Sequence, residues 1–269
     1  MIDIAFSKYH GTGNDFILID DRKQKFPLQC DLIKKLCHRH YGIGADGLIL
    51  LAPSEKADYA MRMFNADGHE TTMCGNGLRC LLGFLRDLGI EKEECSIELG
   101  QNVYIGCFHQ KQPSIYLKHP KMIEELGHIE ILDNLYSYCL VDTGVPHLVI
   151  WSQSLAQIQI EKIGRLIRLH PRFAPHGVNV NFAQLTLPGR IDMHTYERGV
   201  ERETLSCGSG AAAVCFALWK QLNSFCKLQV YFNAKELVEC EWIATRPQDS
   251  ILKIQGEIQS VFSGVVRAS

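Results

Sequence analysis

Three observations predict an α+β fold built from two similar halves. First, Cys-Gly-x-Gly opens an apolar helical segment twice, at Cys74 (MCGNGLRCLLGFLR, 73–86) and at Cys207 (CGSGAAAVCF, 207–216). Second, Cys207 lies 133 residues after Cys74 in a chain of 269, and other landmarks recur near the same offset. Thr12–Ile19 resembles Thr143–Ile150 at an offset of 131, Met61–Asn65 resembles Met193–Glu197 at 132, and Gly42-Ile43-Gly44 resembles Gly177-Val178-Asn179 at 135. Third, each half has many short strands and two helices, without the strand–helix alternation of a parallel sheet. Four landmarks in one order at nearly one offset argue for a duplicated domain.

The elements follow in chain order. Residues 2–9 and 15–20 read as strands joined by the turn His10-Gly11-Thr12-Gly13-Asn14. Apolar positions 32, 33, 36 and 37 have helical spacing, which predicts a helix from Asp31 to Tyr41 stopped by Gly42. Strands are predicted at 47–52 and 59–64, followed by a turn at Asn65-Ala66-Asp67-Gly68. The helix after Cys74 puts Leu78, Leu81, Leu82, Leu85 and Leu88 on one face and ends at Gly89. Three strands near 95–100, 102–108 and 113–118 complete the first half. The charged, weakly periodic stretch from Lys118 to Asn134 is the expected crossing between halves. The second half repeats the pattern with strands near 136–142 and 147–151 and a helix at 160–169 ended by Pro171. Strands near 178–185 and 190–196, the long helix after Cys207 and a tail of strands from Leu228 to Val266 follow.

Composition removes several function classes. Apolar residues make up 46% of the chain, enough for a full core. A formal net charge of −2 lacks the basic excess of a nucleic-acid binder. No apolar run approaches the roughly 20 residues of a membrane span. MIDIAFSKYHG reads directly as a strand, with no basic and apolar leader, so a cytoplasmic enzyme is expected. Eleven cysteines are an odd number in a chain of this size, and no C-x-x-C occurs, which suits a reducing compartment.

A cysteine at a helix N-terminus meets unsatisfied N–H groups and about half a positive charge, which favour the thiolate and attract anions. Two such thiols could form a redox disulfide, bind a metal, or act as acid and base on opposite faces of one carbon. Neither cysteine has a ligand-spaced Cys or His partner, which argues against a metal site. A redox pair usually shares one helix terminus at short spacing. Two-base chemistry suits a duplicated fold best, because inverting a stereocentre needs one group on each face. Helix N-termini aimed at the carboxylate would stabilise the carbanion that forms beside it.

The residues KYHGTGNDF (8–16), GIGADG (42–47), FNADGHETTMCGNGLRC (64–80), TGVPH (143–147), GVNVNF (177–182) and YERGVERETLSCGSGA (196–211) resemble the diaminopimelate epimerase family over essentially the whole chain. The resemblance implies a cofactor-independent amino-acid epimerase of bacterial lysine and peptidoglycan precursor biosynthesis. It implies two domains, each a mostly antiparallel sheet curled around a central helix, with the site in the cleft between them. Their expected extents are 1–118, joined by a C-terminal strand at about 257–269, and 119–256. Cys74 and Cys207 match the two bases. The N–H groups of Gly75, Asn76, Gly208 and Ser209 match those holding the α-carboxylate, and His147 and Glu197 match residues that tune the thiols as a cation and an anion. Asn14, Asn65, Asn179, Glu197 and Arg198 match substrate-holding positions; a guanidinium suits a second carboxylate at the far end. Members are frequently homodimers, and the resemblance implies no metal and no cofactor, with an amino acid as the small-molecule partner.

Three departures stand out. Val145 replaces the usual Asn of Gly-Asn-Pro-His, Gly47 stands where many members carry Gln, and Gly199–Thr204 (GVERET) replaces Gly-Ala-Gly-Glu-Thr. The first two remove amides while leaving the reacting end intact, which predicts looser selectivity that extends to a shorter amino acid such as glutamate. A Cys–His147 nucleophile hydrolase is the rival enzyme reading, but it needs only one of the two cysteines. A non-catalytic amino-acid binder would need neither thiol, and a pyridoxal phosphate enzyme would need a Schiff-base lysine that no segment proposes. Cys30, Cys37, Cys80, Cys95, Cys107, Cys139, Cys215, Cys226 and Cys240 are expected to be packing or surface residues. Asn65 and Asn179 also suit plain turn positions.

Overall fold

The computed structural model describes residues 2–109, 112–118, 120–224, 226–233, 236–243 and 251–268. The chain forms two compact units, Met1–Ile115 with Gly256–Ser269, and Tyr116–Gln255. Residue 119, where the second half was expected to begin, lies outside the described residues, as do 234–235 and 244–250 of the expected strand tail and 269, the last residue of the expected C-terminal strand.

In unit 1, β1 (Ile2–Gly11) and β2 (Asn14–Asp20) form an antiparallel hairpin. The turn between them has Thr12 and Gly13 at positive φ, 50° and 80°. Strand β3 (Gly47–Ala52) runs parallel to β2, and β4 (Tyr59–Asn65) runs antiparallel to β3. The short β5 (Glu70–Thr71) caps β4. Beyond it, β6 (Glu94–Leu99) pairs parallel with β4 and antiparallel with β7 (Asn102–His109). Strand β8 (Gln112–Lys118) follows β7.

Unit 2 repeats these relations. Strand β9 (Lys121–Ile131) pairs with β10 (Asn134–Asp142), β10 pairs antiparallel with β11 (Pro146–Trp151), and β11 runs parallel to β12 (Asn179–Leu187). Strand β13 (Arg190–Glu197) is antiparallel to β12 and to the short β14 (Arg202–Thr204), and parallel to β15 (Leu228–Phe232). Strand β16 (Leu237–Ile243) pairs antiparallel with β15. After β17 (Ile251–Gly256), β18 (Ile258–Ala268) returns to unit 1 and pairs antiparallel with β1, as β9 does with β10. The duplication is thus written in strand pairing as well as in motif order, and each repeat's ninth strand completes the other repeat's sheet.

Strand parity distributes the side chains between two helices in each unit. Ile17, Ile19, Leu48, Leu50 and Phe64 pack with Leu32, Ile33 and Leu36 of α1 (Cys30–Cys37). Leu148, Ile150, Val180, Phe182 and Tyr196 pack in the same way with Ile160, Ile163 and Ile167 of α3 (Ile160–Arg168). The central helices are α2 (Gly75–Asp87), against β1, β2, β7 and β18, and α4 (Gly208–Leu222), against β10, β11, β12 and β16. Every residue of α2 from Gly75 to Leu85 is buried, so the helix is covered all round and not only along its leucine face. A Cβ on Gly83 would meet Ile258 Cδ1 at 2.1 Å, so a larger residue there would force the Ile258 side chain of β18 to move.

Three expectations change. Helix α1 ends at Cys37, four residues early, because His38 turns extended and its Nδ1 accepts the His40 and Tyr41 N–H groups. The loop then folds back, with Ile43 and Gly44 donating to the Leu36 carbonyl and Ala45 to that of Cys37. Leu88 is the C-cap residue of α2 and is exposed. The stretch from 121 to 131 is strand β9, whose periodicity was hidden because Ile123 and Leu126 point to solvent.

Candidate functional site

Both cysteines of the repeated motif are N-cap residues in extended conformation, Cys74 at φ −156° and ψ 97°, Cys207 at φ −139° and ψ 102°. The first intrahelical bonds run from Leu78 N–H to the Cys74 carbonyl (3.0 Å) and from Ala211 N–H to the Cys207 carbonyl (2.9 Å). The N–H groups of Gly75, Asn76, Gly208 and Ser209 therefore lie in first turns, where a helix presents donors beyond its own ladder. Cys74 Sγ accepts the Gly77 N–H at 3.3 Å, whereas Cys207 Sγ contacts the Ser209 hydroxyl at 3.5 Å. Cys74 is half-buried and Cys207 is buried.

In unit 1 the sequence landmarks converge on α2. Asn14 Nδ2 donates to Asp46 at 2.9 Å, and Asn76 Nδ2 donates to Asn14 Oδ1 at 3.3 Å. Arg79 is fully buried in α2 and donates to Asn76 Oδ1 (2.9 Å) and Thr12 Oγ1 (3.4 Å). Below them, Asp15 receives two bonds from Arg39 (2.9 and 2.8 Å) and lies 2.7 Å from the buried Lys8 ammonium. Arg39 also bonds Asp46, and Lys8 donates to the Gly44 carbonyl. Burial works to raise the Asp15 pKa, but Arg39 and Lys8 prevail and hold the carboxyl well below its usual range. Asn65 closes a turn, with its carbonyl accepting the Gly68 N–H at 2.9 Å, and pairs across the sheet with Gly47. A Cβ on Gly47 would meet Met63 Cε at 2.5 Å and the Phe64 carbonyl at 2.6 Å, so position 47 has no room for any side chain.

In unit 2, Asn179 ties two loops together. Its Nδ2 donates to the Pro146 carbonyl (3.3 Å) and its Oδ1 accepts the Arg198 N–H (2.9 Å). Like that of Asn14, its amide is hydrogen-bonded to protein partners. The carbonyl of Glu197 accepts the Glu201 N–H at 2.9 Å, and Glu201 Oε1 accepts from Gly199 N–H (3.0 Å) and Arg168 (3.1 Å). The charges added by the 199–204 segment are thus absorbed locally; Glu203 pairs with His194 and Asn233. The Arg198 pKa is lowered by burial and by Arg168 nearby.

His147 departs from the expected cation. It is fully buried, and burial, reinforced by Arg198, pushes its pKa down to about 3 despite a bond from Asn181. Burial therefore favours the neutral imidazole over the cation. Sequence reasoning missed Lys8, Asp15, Arg39, Arg79, Asn181 and Thr195. The first four bond partners at least three residues away, most of them more than 20, and no local pattern marks those pairings. Asn181 and Thr195 could have been found by setting the two repeats side by side.

No helix among the described residues is long and apolar enough to cross a membrane. No group of three or more His, Cys, Asp or Glu side chains among them is placed to hold a metal ion.

A family model described as diaminopimelate epimerase matches residues 6–122 and 139–244. The chain is 42% identical over 212 residues to a diaminopimelate epimerase of Flavobacterium psychrophilum, covering 78% of this chain and 80% of the relative. It is 34% identical over 284 residues to one of Methanococcus maripaludis, covering 98% and 99%. Among solved structures it resembles a hydroxyproline epimerase of Agrobacterium vitis (TM-score 0.78, 15% identity, 98% and 92% covered). It also resembles a phenazine biosynthesis protein of the PhzF family from Bacillus anthracis (TM-score 0.73, 14% identity, 100% of both covered). At these identities the structural likenesses show the fold alone, a mostly-sheet α+β architecture of two pseudo-symmetric domains.

Proposed function

Because this chain belongs to the diaminopimelate epimerase family, we propose that it interconverts LL- and meso-2,6-diaminopimelate by two-base proton transfer without pyridoxal phosphate. It is an isomerase. The observation that carries the mechanism is the placing of Cys74 and Cys207 as N-caps of α2 and α4, the equivalent helix of each repeat. One thiolate removes the α-hydrogen while the other thiol returns a proton to the opposite face, and the roles exchange in the reverse direction. The reading requires both thiols to reach one α-carbon. First-turn N–H groups of the two helices would hold the α-carboxylate and stabilise the charge that grows beside it. In this scheme the neutral His147 cannot supply a positive charge, and Arg198 is the cation for the distal carboxylate.

Val145 carries the proposal of looser selectivity, since position 47 accepts no side chain. Purified protein incubated with LL-diaminopimelate, with no added cofactor, is expected to yield the meso isomer by chiral chromatography. With L-glutamate, a slower racemisation is expected, reduced further by Val145→Asn. No turnover of diaminopimelate would end the first proposal, and no turnover of glutamate the second. We place the enzyme in the cytoplasm, in lysine and peptidoglycan precursor synthesis. A homodimer is also proposed, through the exposed apolar residues Ile2, Phe262 and Val265 of β1 and β18; the sedimentation mass of a single chain would remove it.

A further inference from the structure

The two repeats put different chemistry beneath their cysteine helices. A Cβ on Gly77 would stand 3.0 Å from Ile49 Cδ1 and 3.2 Å from Cys74 Sγ. At the same repeat position, a Cβ on Gly210 would stand 2.4 Å from Asn181 Oδ1 and 3.2 Å from Cys207 Sγ. Strand register fixes the correspondence. Ile49 faces Met63 across β3 and β4, and Asn181 faces Thr195 across β12 and β13. Phe16 faces Gly47 across β2 and β3, and His147 faces Asn179 across β11 and β12. An apolar trio of Phe16, Ile49 and Met63 in unit 1 is therefore matched by His147, Asn181 and Thr195 in unit 2, and none of the six is more than 3% exposed.

Polar groups buried this deeply persist only when hydrogen-bonded. Thr195 Oγ1 donates to Asn181 Oδ1 at 3.0 Å. Asn181 Nδ2 donates to the Leu148 carbonyl at 3.1 Å and to His147 Nδ1 at 3.2 Å. The Leu148 carbonyl, which can only accept, sets the amide's orientation, the Thr195 hydroxyl satisfies the amide oxygen, and both amide hydrogens are then committed. Since an amide nitrogen only donates, His147 Nδ1 must accept, and the single proton of a neutral ring sits on Nε2. His147 Nε2 is buried and has no hydrogen-bond partner among the described residues. The chain of bonds thus ends in a donor with no partner, in the layer beneath the first turn of α4.

We propose that Asn181, oriented by the Leu148 carbonyl and held by Thr195, is a positioning residue that fixes His147 as an Nε2–H donor and so makes the Cys207 end of the repeat hydrogen-bonding where the Cys74 end is apolar. The orientation stands by itself. Its effect on turnover rests on the epimerase reading above.

Nitrogen NMR of protein labelled in its 11 histidines, with His147 assigned by His147→Gln, separates the two. At neutral pH, His147 is expected to show a protonated Nε2 and a bare Nδ1, and Asn181→Leu to shift the ring toward a mixture of tautomers. With Asn181→Leu, kcat for diaminopimelate is expected to fall at least tenfold and KM to change less than threefold. Thr195→Val is expected to reproduce a smaller loss, and Thr195→Ser, which keeps the hydroxyl, to stay within twofold of the wild type. If Asn181→Leu does not fold, the Thr195 pair carries both readouts. A protonated Nδ1 in the wild type, or a ring unchanged by Asn181→Leu and Thr195→Val, would overturn the proposal. The stated tautomer in a protein that fails to epimerise would instead remove only the proposed function.

Discussion

Cys74→Ala and Cys207→Ala are each expected to lower kcat for diaminopimelate epimerisation by about 10³-fold, the range in which a positioned acid or base contributes. Each thiol is needed in both directions, as base in one and acid in the other, so neither variant keeps a working direction. Folding is expected to survive. Cys74 contributes one weak cap bond to Gly77 N–H, and Cys207 makes no side-chain bond to a backbone N–H of its helix. Alanine fits both N-cap positions sterically, so thermal midpoints within a few degrees of the wild type are expected. Steady-state rates with both isomers, alongside thermal melts, check this. A variant that keeps full activity would favour a single-cysteine mechanism of epimerisation.

The largest expected effect on stability comes from Asp15→Asn. Lys8 is buried, with its ammonium 2.7 Å from Asp15, and Arg39 makes two further bonds to the same carboxylate. Removing the carboxylate leaves Lys8 without its counter-charge, a change that typically costs about 3–5 kcal/mol. In a unit of this size that lowers the midpoint by roughly 10–20 °C. The carboxyl is held below its ordinary range in the folded state. Its contribution is therefore fully present above its unfolded pKa of about 4 and is lost as pH falls toward the folded value. Urea melts at pH 7 are expected to show the full gap between wild type and variant, and melts below pH 4 a narrowing one. Equal stability at pH 7 would mean that Lys8 has another counter-charge.

Much of this was legible in the sequence because the repeat is long and its helices are strongly apolar. The two Cys-Gly-x-Gly openings, the strand order around them and the stop of α2 before Gly89 all follow from local chemistry. What local patterns leave out is non-local. The return of β18 to β1 joins residues more than 240 positions apart; a C-terminal strand joining the first half was expected from the family resemblance alone, because no turn or periodicity announces it. Strand β9 was obscured because Ile123 and Leu126 face solvent. The Lys8–Asp15–Arg39–Asp46 cluster draws on two motifs and the end of α1, all recognised separately, but their pairing depends on how the loop at 38–46 folds back. His147 shows a different limit. Its position in the motif was plain, but its charge depends on burial, and a histidine enclosed on every side reads the same in sequence as an exposed one. The contrast between Ile49 and Asn181 was available in principle, since an offset of 132 aligns them.

The central claim is that two different thiols serve the two faces of one carbon. Conversion of LL-diaminopimelate in heavy water, stopped at low conversion and read by mass spectrometry of each isomer, tests it most directly. A two-base enzyme takes the α-hydrogen on one thiol and delivers a solvent-equilibrated proton from the other. The meso product is then expected to carry one deuterium, while recovered LL substrate carries almost none. Product that keeps the original hydrogen, or substrate that exchanges as fast as product forms, would mean that one group serves both faces and would contradict the mechanism.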